Sequence, residues 1–208
     1  MRVILWDFDG VIMNSNEVRD LGFEKVLADF DKQDVEKLLE FHRQNGGLSR
    51  YVKFKYFFED VLGEPTLTEE KLTLYTEKFS SIMKTLLTNK ELLIEETVEF
   101  IKKQSAAGTP MHIVSGSDQK ELRFLCEQLG IDQYFKSIHG SPTPKKQLVA
   151  NVIDDNGYMK QDCLLIGDSN NDFEAAEHNN IEFYGYNNQN LRKHDNYITS
   201  FKNLKLFS

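Results

Sequence analysis

The sequence predicts an α/β protein: a Rossmann-like parallel sheet with helices on both faces, carrying an inserted all-helical subdomain near its start. Three observations lead there. Short apolar runs end abruptly in polar or glycine residues, the pattern of strands buried on both faces. Amphipathic helical stretches separate these runs, as a parallel sheet requires. The alternation is interrupted over residues 15–86, where no buried strand can be read and helical spacing dominates.

The first run, Val3–Trp6, stops at Asp7-Phe8-Asp9-Gly10. Met111–Val114 precedes Ser115-Gly116, Cys163–Ile166 precedes Gly167-Asp168, and Ile181–Tyr184 precedes Gly185. A shorter candidate is Ser137–His139 before Gly140, and a terminal strand at Tyr197-Ile198 and a last turn of helix complete the set. Between them, Ile94, Val98 and Ile101 share a helical face. So do Leu122, Leu125, Cys126 and Leu129, stopped by Gly130, and then Leu148, Val149, Val152 and Ile153. Trp6 and His112 lie inside strand runs and are expected in the core.

The insertion reads as about four helices. Their apolar sets are Val18, Leu21, Val26 and Leu27; Val35, Leu38 and Leu39; Tyr51, Phe54, Phe57, Phe58, Val61 and Leu62; and Leu72, Tyr75, Phe79, Ile82, Met83 and Leu86. The last two keep three- and four-residue spacing closely. Breaks are expected at Gly46-Gly47 and Gly63-Glu64-Pro65. The domain reading is therefore a core of residues 1–14 and 87–208 with a helical cap over 15–86.

Composition narrows the function. The 208 residues include 25 Lys and Arg against 33 Asp and Glu, a net charge of −8. That balance argues against a general nucleic-acid binder, which needs a basic face. Cys126 and Cys163 sit in apolar runs without metal-type spacing and read as core residues. The charged N-terminus and the absence of any long apolar run suggest a cytoplasmic protein with no membrane partner, and a monomer is the default.

In a parallel sheet, ligands gather beyond the carboxyl ends of the strands. That rule brings Asp7 and Asp9 from the first strand together with Ser115, Asp168, Asp172 and a lysine of the Lys145-Lys146 pair. Crowded carboxylates stay ionised at neutral pH when a cation sits among them. An all-oxygen donor set selects a hard cation, magnesium first. Asp7 and Asp9, two apart past a strand end, can both face a ligand, one as nucleophile and one as acid/base. Taken singly, Asp9-Gly10 also reads as a turn, and Gly167-Asp168 as a strand end with a helix cap.

Together these residues resemble a known family. Asp7-Phe8-Asp9-Gly10-Val11-Ile12, Ser115, Lys145 and Gly167-Asp168-Ser169-Asn170-Asn171-Asp172 resemble, in order, the four motifs of the haloacid dehalogenase superfamily. The helical insertion after the first motif is similar to the cap of the phosphoglycolate phosphatase and β-phosphoglucomutase branch. The resemblance implies a magnesium-dependent phosphohydrolase in which Asp7 forms an aspartyl-phosphate and Asp9 is the acid/base. The metal would be held by Asp7, Asp168 and the backbone carbonyl of Asp9. Ser115 and Lys145 would hold the phosphoryl group, near the N–H groups of Phe8 and Gly116, with Asp172 and Asn171 in support. The third motif departs from the branch's usual Lys-Pro-x-Pro, reading Pro144-Lys145-Lys146-Gln147, so Lys146 remains an alternative. Dehalogenase chemistry is disfavoured, because that branch lacks the carboxylate Asp9 supplies.

Residues 41–58 carry Arg43, Arg50, Lys53 and Lys55 with no acidic residue. One reading is a solvated helix face. The other is that Arg50 or Lys53 reaches the cleft and recognises the far end of a polar phosphomonoester. His139 ends a strand where it could line the cleft, and Asn14 and Asn16 suit turn duty or the hinge. The expected partner is a small phosphorylated molecule, with a phosphomutase as the alternative reaction and a non-catalytic phosphate binder as the third.

Overall fold

The structure is a computed structural model describing residues 2–202, 204 and 206. Strand β1 (Val3–Trp6) is followed by the insertion helices α1 (Asn16–Val26), α2 (Lys32–Gln44), α3 (Arg50–Lys55) and α4 (Glu69–Leu87). A π-helical turn, Tyr56–Val61, extends α3. The chain then alternates: α5 (Glu95–Ala106), β2 (Met111–Asp118), α6 (Gln119–Leu129), β3 (Ser137–Ser141), α7 (Lys145–Asn156), β4 (Cys163–Gly167), α8 (Asn170–Asn179), β5 (Glu182–Tyr186) and β6 (Tyr197–Ile198).

All neighbouring strands pair in parallel, in the order β3-β2-β1-β4-β5-β6. The sheet grows outward from β1 in both directions, so chain order reverses there. The crevice beyond the carboxyl end of β1 is the topological switch point, where such sheets bind ligands.

Two-residue alternation divides each central strand between two cores. Ile4, Trp6, Ile113, Leu164 and Ile166 face one cluster with α5 and α6 residues such as Phe100, Ile101, Leu122 and Leu125. Val3, Leu5, Val114, Cys163 and Leu165 face the other, with Val149 and Val152 of α7 and Ala175 and Ala176 of α8. Trp6 is fully buried and meets Phe100 edge to face. His112 is buried between Ser137 and Tyr158. Both cysteines are buried and free.

Isolated helices of this length are marginal in water. The insertion is held by Phe23, Phe54, Phe57, Phe58 and Phe79, all essentially inaccessible and in mutual ring contact. Each buried Phe is worth about 3–5 kcal/mol against truncation to Ala. The same cluster includes the apolar residues of the sheet face.

Some details differ from expectation. Leu21 is 40% exposed, and the buried face of α1 is Arg19, Gly22, Phe23 and Val26. Apolar counting misplaced this face because part of it looks onto the polar cleft rather than a hydrophobic core. Strand β2 runs on to Asp118, since its polar end still pairs with β3. Four of the last six residues lie outside the described residues, so the expected final helical turn falls largely beyond them. Among the described residues no helix is long and apolar enough to cross a membrane.

Candidate active site

A cleft of about 1180 Å³ opens at the end of β1, lined by Asp7, Asp9, Ser115, Gly116, Asp168 and Asn171 on the sheet side and by insertion residues such as Arg19 and Lys53 opposite. Each sheet-side residue is delivered by a strand end or the first turn of the following helix. Ser169 caps α8 in a reciprocal box with Asp172, whose Oδ2 accepts from the Ser169 N–H at 3.0 Å and Oγ at 2.6 Å. This box fixes the Asp172 carboxylate, which is fully buried.

Lys145 opens α7 and is 3% exposed, with its ammonium 2.8 Å from Asp7 Oδ1 and hydrogen-bonded to Asp172 Oδ1. Lys146 is exposed. The geometry thus chooses Lys145 over the alternative. One carboxylate oxygen each from Asp7, Asp168 and Asp172 lies within 4.8 Å of the others. Asn16, first residue of α1, donates to Asp168 Oδ2 at 3.2 Å. Ser115 is buried, and its Oγ accepts the Ser117 N–H at 3.1 Å.

Electrostatics follow from that crowding. Burial first, then Asp172, pushes the Asp7 carboxyl up to about 7 against the opposing pull of Lys145. Burial and the charges of Asp7 and Asp172 hold Asp168 well above the usual carboxylate range. Burial disfavours the Lys145 ammonium, but Asp172 and Asp7 outweigh it and keep the group above the usual lysine range. Three carboxylates face one ammonium, and Asp7 Oδ1 is buried without a well-formed hydrogen bond. An oxygen-coordinated divalent cation fits this deficit in both charge and donor type. Asp172, expected as a support, belongs to the cluster as well as to Lys145.

The Asp9 carboxylate turns the other way. Its Oδ1 accepts from Arg19 Nε at 2.7 Å and from the Ser15 hydroxyl, and its Oδ2 accepts from Ser117 Oγ at 2.5 Å. Burial would raise it, but the Arg19 charge and these hydrogen bonds hold it at about 2. Its side chain is therefore outside the acidic cluster, leaving only its backbone carbonyl for the metal role that the resemblance gave it.

Arg19, Ser117 and Glu121 were missed in the sequence. Glu121, fully buried on the first turn of α6, accepts from Arg19 Nη1 at 3.0 Å and from Arg50 Nη1 at 2.5 Å. Ser117 had a findable signal, two residues past Ser115 on one strand face. Arg19 and Glu121 are 102 positions apart, and no local pattern joins them. Arg50 is turned to Glu121 and Ser80 and lies over the Phe79 ring. Lys53 is buried and lines the cleft. His139 is not among the lining residues and contacts Ser137 at 2.7 Å.

The insertion meets the sheet side closely. Asn171 Nδ2 donates to the Gly47 carbonyl at 3.1 Å, and a Cβ at Gly116 would stand 2.0 Å from that same oxygen. Gly10 has φ +73°, and a Cβ there would stand 1.9 Å from Asp168 Oδ2. Gly10→Ala is expected to lower catalytic efficiency by about 100-fold by displacing Asp168, and to cost about 1–2 kcal/mol of backbone strain. Steady-state kinetics and thermal unfolding check both.

The haloacid dehalogenase-like hydrolase model matches residues 4–186. A phosphoglycolate phosphatase of Colwellia psychrerythraea is 25% identical, over 89% of this chain and 85% of the relative. A 5'-nucleotidase of Pseudomonas aeruginosa is 24% identical, over 92% and 87%. Among solved structures, a β-phosphoglucomutase from Clostridium difficile superposes with a TM-score of 0.78 at 18% identity, covering 99% of this chain and 94% of that one. The chain belongs to the haloacid dehalogenase-like hydrolase family, and within it resembles the phosphoglycolate phosphatase and β-phosphoglucomutase branch.

Proposed function

We propose that the protein is a magnesium-dependent phosphatase that hydrolyses a small soluble phosphomonoester through an aspartyl-phosphate on Asp7. The observation that carries this reading is the buried Asp7 carboxylate, held by Lys145 within an acidic cluster at the switch point of the sheet. Its relatives named above as phosphatases support it.

Asp7 attacks phosphorus, forming the new P–O bond as the bond to the leaving oxygen breaks. The leaving oxygen takes a proton from Asp9. Water then attacks the phosphoryl group, and Asp9 accepts its proton. Lys145 and Ser115 hold the phosphoryl oxygens, and the lysine offsets charge that develops on them. Magnesium held by Asp7, Asp168 and the Asp9 carbonyl, with Asp172 beside them, supplies charge neutralisation for the phosphate. With Arg19 on its carboxylate, Asp9 is set as a base; the acid step requires Arg19 to be drawn off it. The helices of residues 15–86 act as a cap that excludes water, with the Gly46-Gly47 loop seated at Gly116 and Asn171.

Phosphate release from p-nitrophenyl phosphate in the presence of magnesium tests the reading. EDTA is expected to lower the rate about 100-fold or more, and magnesium to restore it. Conversion of glucose 1-phosphate to the 6-phosphate without phosphate release would replace the phosphatase by the mutase.

A further inference from the structure

Five basic side chains of the insertion line the cleft: Arg19, His42, Arg43, Arg50 and Lys53. Three of them are accounted for. Arg43 pairs with Asp20 and Glu36 at the surface. Arg50 is neutralised by Glu121 and hydrogen-bonded to Ser80. Burial, with Lys53 and Arg19 nearby, lowers His42 to about 2, so its ring is neutral.

Two donors remain. Lys53 is 4% exposed, and no hydrogen bond or ion pair to its ammonium is present among the described residues. Arg19 spends Nε on Asp9 and Nη1 on Glu121, while its buried Nη2 has no partner. The charged groups that act on Lys53 are Arg19 and Asp20 on α1, Asp9 after β1, and Arg50 on its own helix, with His42 of α2 close by. Burial and Arg19 lower the Lys53 ammonium to about 7, against a partial pull from Asp9. Burying a cation without a counter-charge is costly. An anionic ligand group supplied from the cleft removes that cost.

We propose that Lys53 and the free Nη2 of Arg19 form a subsite for a second oxyanion on the substrate, a carboxylate or further phosphate remote from the transferred phosphoryl group. Glu121 sets this choice. By binding Arg50 fully and Arg19 through one nitrogen, it leaves one ammonium and one guanidinium N–H facing the cleft. The inference rests on the phosphatase reading for the other end of the substrate, and deepens it by naming the substrate's chemical class.

Binding can be read without turnover. Calorimetric titrations with magnesium, on the Asp7→Asn protein, compare three probes: 2-phosphoglycolate, ethane-1,2-diyl bisphosphate and ethyl phosphate. One or both dianionic-tailed or carboxylate-tailed probes should bind about tenfold or more tighter than ethyl phosphate, the worth of a charge-assisted contact. The tighter of the two names the oxyanion. Lys53→Met, close in shape and uncharged, should erase about tenfold of that preference, while Lys55→Met at the exposed surface should keep it. Equal binding of all three probes, or a preference that survives Lys53→Met, overturns the subsite. Phosphate release from the same probes by the unmodified enzyme separates the two claims. Hydrolysis without preference removes the subsite and leaves the phosphatase. A preference in binding with no release from any phosphoester does the reverse.

Discussion

Asp7→Asn is expected to abolish turnover, by a factor of about 10⁴ or more, because no other carboxylate is placed to replace the nucleophile. Asp168 and Asp172 share the cluster, but Asp172 is committed to Lys145 and to its capping box. The same substitution should stabilise the metal-free protein at neutral pH. Asp7 is raised to about 7 in the fold, above its unfolded value, so the native state binds the extra proton between the two. Where the native state holds more protons, stability falls as pH rises. The metal-free enzyme should therefore lose stability between about pH 4 and 7. Asn, which has no charge to bury, should remove this group's part of that loss, on the order of 1–4 kcal/mol. Thermal unfolding of both proteins in EDTA across this range measures it. Added magnesium should narrow the gap, since it compensates the Asp7 charge in the parent.

Lys145→Met carries the second large effect. The ammonium is the one positive group contacting both Asp7 and Asp172, and all three are buried. Removing one partner of a buried pair strands the other charge and costs about 3–5 kcal/mol. Catalytic efficiency should fall about 1,000-fold or more, because Lys145 also offsets charge on the transferring phosphoryl group. Magnesium should recover a large part of the lost stability and little of the activity. Lys146→Met should change neither, as that side chain is exposed.

The legibility of this protein in its sequence divides along a physical line. Strand runs such as Val3–Trp6 and Cys163–Ile166 announce themselves because both faces are buried, so every position is apolar. The motif residues Asp7, Ser115, Lys145, Asp168 and Asp172 could be read because each follows a strand or opens a helix, and topology alone brings strand ends together. Helices α3 and α4 were legible through their aromatic spacing. What could not be read is pairing across the cleft. Arg50 looked like a free cation in a run without acids, but its counter-charge is Glu121, 71 positions away on another helix. Asp9 looked like a partner of Asp7, yet Arg19, Ser15 and Ser117 turn it aside. Leu21 was taken for a core residue because the inward face of α1 includes an arginine that a hydrophobic count discards.

Among these residues, Lys53 is the one where sequence and structure agree for different reasons. The sequence offered it as a basic residue in a basic run. The structure gives it burial, a place in the cleft wall and no counter-charge among the described residues.

The central claim is that phosphate passes through Asp7. Acid-quenching the enzyme during turnover with magnesium, digesting it and mapping the peptides by mass spectrometry tests this most directly. The account predicts a single phosphoryl group on the peptide containing Asp7, labile to hydroxylamine and absent from Asp7→Asn. Continued turnover by Asp7→Asn, or a phosphoryl group mapped to another residue, would contradict it.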